Sequence, residues 1–69
     1  MKEFEILITS PPDREKLVAE IWSDENLVAE INQESDNLEI EIYASEKLVF
    51  SLDDLIEIFE RAKKRLNAQ

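Results

Sequence analysis

The chain has 69 residues, with 17 Asp and Glu against 8 Lys and Arg, for a net charge of −9. At this length one domain, residues 1–69, is the upper bound, near the size where a single core only just suffices. There is no Cys, His or Gly, which excludes disulfides, thiolate or imidazole metal sites, Cys-His and Ser-His catalysis, and glycine-rich phosphate loops.

The opening residues, Met1-Lys2-Glu3-Phe4-Glu5, lack the apolar run of a signal peptide. Phe4, Ile6 and Ile8 then alternate with Glu5 and Leu7 until Ser10-Pro11-Pro12-Asp13 interrupts them. Two prolines cannot continue a ladder, so a strand over about 3–9 followed by a turn is expected. Leu17, Ala19 and Ile21 alternate with Val18, Glu20 and Trp22, giving a strand over about 15–22. Leu27, Ala29 and Ile31 repeat the pattern over about 27–33, and Leu38, Ile40 and Ile42 over about 38–43. Lys47 to Phe50 allows a short fifth strand. The pentapeptide Leu-Val-Ala-Glu-Ile stands at both 17–21 and 27–31; two copies are too few for a repeat protein, and neighbouring strands of one hairpin explain them.

Without glycine, the hairpin loops are expected to close on Asn26 and Asn37, since Asn tolerates the left-handed conformation best among the other residues. Loops over Asp24–Asn26 and Glu34–Asn37 set Ile21 opposite Ala29, Ala19 opposite Ile31, Ile31 opposite Ile40, and Ala29 opposite Ile42. Apolar then faces apolar throughout, as a half-buried sheet requires.

From Ser51 the period changes to that of a helix over about 52–67. Ser51 with Asp54 reads as a capping box, and Leu52, Leu55, Ile56, Phe59, Ala62 and Leu66 fall on one stripe. Glu57 with Arg61 and Glu60 with Lys64 are favourable i,i+4 pairs, and the basic residues gather in the last turns. The expected fold is α+β: an antiparallel four- to five-stranded meander with one C-terminal helix packed on one face.

One helix covers one side of a sheet. The other side then carries Glu5, Leu7, Val18, Glu20, Trp22, Val28, Glu30, Glu39, Glu41 and Tyr43, with Glu20, Glu30 and Glu41 side by side on three strands. Like charges that close destabilise a sheet, so Lys16, solvent, a bound cation or a basic partner is expected to offset them. All the acids lie in residues 1–60, which carry a balance of −13, whereas residues 61–69 are purely basic. Such a field repels nucleic acid and attracts cationic proteins.

The carboxylate row reads as a solvated face that aids solubility, and Trp22, Val28 and Tyr43 read as a cross-strand cluster. The same surface also has the composition of a protein-binding site, with Trp22 and Tyr43 as anchors and Glu20, Glu30, Glu39 and Glu41 steering a basic protein. A structural homodimer and a weak divalent-cation binder on the carboxylates are the alternatives. An open sheet face offers no pocket to perturb a pKa, so no enzyme, catalytic residue, metal centre or cofactor is expected. No apolar run approaches the roughly 18 residues of a membrane span, and a cytoplasmic protein without membrane or nucleic-acid partners is expected.

The stretch Ile8-Thr9-Ser10-Pro11-Pro12-Asp13-Arg14-Glu15-Lys16-Leu17-Val18-Ala19-Glu20-Ile21 resembles a family of short bacterial proteins without assigned function. The resemblance implies a shared opening turn, a strand-rich middle and a closing amphipathic helix, and brings no catalytic motif. In size and charge the chain is also similar to immunity proteins that neutralise basic nuclease toxins, a likeness of composition alone.

Overall fold

The computed structural model describes residues 4–43 and 46–69. Four strands, β1 (Phe4–Thr9), β2 (Val18–Ser23), β3 (Asn26–Asn32) and β4 (Glu39–Ile42), precede one helix, α1 (Leu52–Asn67). The strands form a single antiparallel sheet in the order β1-β2-β3-β4, each paired with its neighbour in sequence. The α+β meander read from the periodicity is the observed fold. Its register is the expected one, with Ile21 opposite Ala29, Ala19 opposite Ile31, Ile31 opposite Ile40 and Ala29 opposite Ile42.

Turn chemistry departs from expectation. Ser23 pairs with Asn26 across a two-residue loop, Asp24-Glu25, and a bulge between Ile21 and Trp22 absorbs the extra residue. Asp24, not Asn26, takes the left-handed conformation, with φ 56° as the one positive value among the described residues. Asp tolerates this region for the same reason as Asn, through its short polar side chain. The β3–β4 connection is longer than expected, spanning residues 33–38. Strand β2 begins at Val18 because residues 15–17 remain in the preceding connection, and the expected start of β1 at residue 3 lies outside the described residues. No fifth strand forms among residues 46–50; that stretch leaves the sheet and brings the Phe50 ring to 5.1 Å from Phe4.

Helix α1 starts where its capping box predicts, the Ser51 hydroxyl accepting a hydrogen bond from the Asp54 N–H at 3.3 Å. Asp53 and Asp54 occupy its first turn, Lys64 and Arg65 its last, matching the helix dipole. Glu57 and Arg61 pair at 2.8 Å; Glu60 and Lys64 form no ion pair in the structure.

The core lies between α1 and the sheet. Ala19, Ile21, Ala29 and Ile31 meet Ile58, Ala62 and Leu66, flanked by Phe4, Ile6, Ile8, Leu17, Leu55 and Phe59. Ile58, absent from the expected stripe, is buried, whereas Leu52 and Ile56 are exposed. The apolar sector of the helix is therefore wider than its contact. A helix is about 10 Å across while strands are about 4.8 Å apart, so one helix spans about two strands. Here α1 packs over β1 and β2. Ile40 and Ile42, expected beneath the helix, are 42 % and 64 % exposed.

Candidate functional site

The face away from α1 is built around one side chain. Pro11 accepts a hydrogen bond on its carbonyl from the Arg14 N–H at 3.2 Å, closing a four-residue turn with Pro12 in the position its fixed φ favours. That turn delivers Arg14 over the sheet. Its Nη2 lies 2.8 Å from Glu30 Oε1 and 2.7 Å from Glu41 Oε2, and its Nε also donates to Glu30 Oε1 at 3.1 Å. The connection is fixed to the β3–β4 side by two further bonds: the Glu15 N–H donates to Glu34 Oε1 at 3.1 Å, and Gln33 Nε2 to the Leu17 carbonyl at 3.0 Å.

Glu30 and Glu41 stand opposite each other in the ladder, as do Glu20 and Glu30. Within the chain, the charge that offsets Glu30 and Glu41 is Arg14 rather than Lys16. Glu30 is buried, so it steers no partner; a carboxylate that far from water requires its own counter-ion. Glu41 Oε2 also accepts from the Tyr43 hydroxyl at 2.7 Å. These bonds, Tyr43 foremost and Arg14 next, hold the Glu41 carboxyl below the usual carboxylate range. In turn Glu41, together with burial and the negative charge of Glu30, pushes the Tyr43 phenol above its ordinary pKa. The Arg14 guanidinium is raised further still, chiefly by its bond to Glu41.

The remaining expected site residues separate into two groups. Trp22 and Glu20 are half-buried and bonded to each other, Trp22 Nε1 donating to Glu20 Oε1 at 3.1 Å. Val18 and Val28, expected on an open surface, are buried. Glu39, Glu41 and Tyr43 are exposed, and all three lie on or just beyond β4. The structure thus joins Glu30, Glu41 and Tyr43 in one cluster bonded through Arg14, holds Trp22 and Glu20 as a separate bonded pair, and leaves Glu39 outside both.

Sequence reasoning missed Arg14. The available signal was that it is the sole Arg before residue 61 and follows the Pro-Pro turn directly.

On the helix side, β4 borders a shallow groove of about 290 Å³ whose apolar walls are Ile31, Leu38, Ile40 and Phe59, with Glu39, Glu60 and Lys63 around them. Every residue of β4 is exposed. Among the described residues, no group of three or more Asp and Glu is placed to hold a metal ion, and no helix is long and apolar enough to cross a membrane.

Comparison with known proteins adds no further constraint: no family model, curated protein or solved structure matches the chain.

Proposed function

We propose that this chain is a non-catalytic interaction module that binds a basic protein through the β4 side of its sheet. The observation that carries this reading is the exposure of β4 from end to end. In a chain this small, a strand that leaves Ile40, Ile42 and Tyr43 in water contributes little to the core and is available for a partner. Glu39 and Glu41 flank those side chains, and the net charge of −9 draws cationic proteins toward them. Tyr43 combines a broad apolar ring with a polar tip, the chemistry of an interface anchor. Trp22 and Glu20 lie two strands away on β2, bonded to each other.

The test is capture of proteins from source-cell lysate on the immobilised chain, comparing wild type with Glu39→Lys/Tyr43→Ala, both positions being exposed. The expected result is a basic protein held by the wild type, which after purification binds the variant at least about tenfold more weakly. Its association rate should fall as salt is raised. Equal binding to wild type and variant would remove the β4 side as the site.

A further inference from the structure

Resting on the β4 reading above, we infer that the partner is recognised as an added strand: an extended segment of alternating basic and apolar residues that pairs with the outer edge of β4.

The backbone sets the geometry. The Tyr43 N–H donates to the Val28 carbonyl at 2.8 Å, so Tyr43 and Val28 form a hydrogen-bonded pair. Hydrogen-bonded and non-hydrogen-bonded pairs alternate along an antiparallel ladder. Glu41 and Glu39 therefore direct their main-chain groups toward β3, whereas Ile40 and Ile42 direct theirs outward, where no strand among the described residues meets them. Two N–H and two carbonyl groups are left at an edge with no proline, lysine or bulge to obstruct it; the protections it does carry are its shortness and the two glutamates, which a basic strand would neutralise. The opposite edge is protected: Arg65 Nη1 donates to the Ile6 carbonyl at 3.0 Å.

Side chains specify the occupant. A residue placed opposite Ile40 or Ile42 projects to the helix side, where those two side chains and Phe59 offer apolar surface. A residue opposite Glu39 or Glu41 projects to the other side and meets the exposed Glu39 carboxylate and that of Glu41, whose Oε2 already binds Arg14 and Tyr43. Alternation of apolar and basic residues satisfies both faces at once, because main-chain bonds supply affinity in this mode and alternate side chains supply specificity.

A second copy of the chain fits less well. The two-fold antiparallel register that uses the outward groups of both Ile40 and Ile42 sets Glu41 across from its own counterpart, where like charges destabilise. Among the described residues the chain does not fill this edge itself: residues 46–50 form no strand, and the Phe50 ring packs against Phe4.

The experiment titrates the full 69-residue chain, isotopically labelled, with a blocked heptapeptide of alternating lysine and valine. Amide shifts centred on Ile40 and Ile42 are expected. N-methylation of the valines, whose N–H groups would face β4, should weaken binding by at least about tenfold, while N-methylation of the lysines should leave it unchanged. Ile42→Pro removes one outward N–H and keeps the ladder to β3, so it should retain the folded spectrum and lose the peptide. Equal effects of the two methylated peptides, full binding by a folded Ile42→Pro, or no shift up to about 1 mM peptide would each overturn strand addition. The broader reading fails separately, by equal capture of the basic partner on wild type and Glu39→Lys/Tyr43→Ala.

Discussion

The two outer strands of this sheet have nearly the same sequence pattern and opposite fates. In β1 the apolar residues Phe4, Ile6 and Ile8 lie against the helix, and Arg65 occupies an edge carbonyl. In β4 the corresponding Ile40 and Ile42 stand largely in water. Alternation of isoleucine with glutamate decides which side a residue faces, but the width of the covering layer decides whether that side is buried. A single helix displaced toward β1 leaves the last strand of the meander with an apolar face that it only borders.

The sharpest way to break that contrast is to truncate one isoleucine in each half. Ile21→Ala, at a fully buried position, should cost about 2–5 kcal/mol. That is comparable to the about 3–5 kcal/mol a core of this size supplies, so the variant should be mostly unfolded in a urea titration. Ile42→Ala should cost under about 1 kcal/mol in the same assay. Equal losses would mean that β4 is as integral to the core as β2.

Next in size is the cation that ties β4 to the body. Arg14→Gln strands a buried Glu30 carboxylate, whereas Arg61→Gln leaves Glu57 in solvent. The first should lower the melting temperature clearly more than the second, and Glu30→Gln added to Arg14→Gln should restore part of the loss.

A pH series sharpens the comparison on the β4 side. Because the folded-state pKa of Glu41 is depressed, its stabilising contribution is present above the ordinary carboxylate pKa. It is lost as pH falls through the lower folded value. The Tyr43 pKa is raised, so its contribution is present below the ordinary phenol value of about 10 and lost as pH rises through the folded one. Tyr43→Phe should abolish the alkaline loss and shift the acid loss toward higher pH. Tyr43 is the sole tyrosine, so tyrosinate absorbance follows it directly.

The smallest effect belongs to the protected edge. Arg65→Met removes one exposed bond to the Ile6 carbonyl and should cost about 1 kcal/mol or less by thermal denaturation.

How much of this was legible before folding depends on the range of the interaction. Strand register followed from period two together with short loops, since the alternation of Ala19, Ile21, Ala29, Ile31, Ile40 and Ile42 fixes the face and the loop length selects the pairing. The helix start followed from Ser51 and Asp54, three residues apart. Arg14 was not legible as a counter-ion: it sits in irregular chain, and its partners are 16 and 27 residues away. Burial of Glu30 and exposure of Ile42 were hidden for the same reason, both being set by what lies above the sheet. Within the proposed surface, Glu39, Glu41 and Tyr43 were legible as exposed residues, but the outward main-chain groups of Ile40 and Ile42 became visible only with the pairing.

The meander topology also sets an order of events. Each strand pairs with its neighbour in sequence, so the sheet assembles from short-range hairpins, the contacts that form fastest. The bond from Arg65 to Ile6 joins residues 59 apart and must wait for the helix to swing back across β1. On a ribosome the four strands emerge before α1 does, so Ala19, Ile21, Ala29 and Ile31 pass through an interval without their cover. The brevity of that interval, governed by the 16-residue helix, then limits how long the nascent sheet can be captured by other chains.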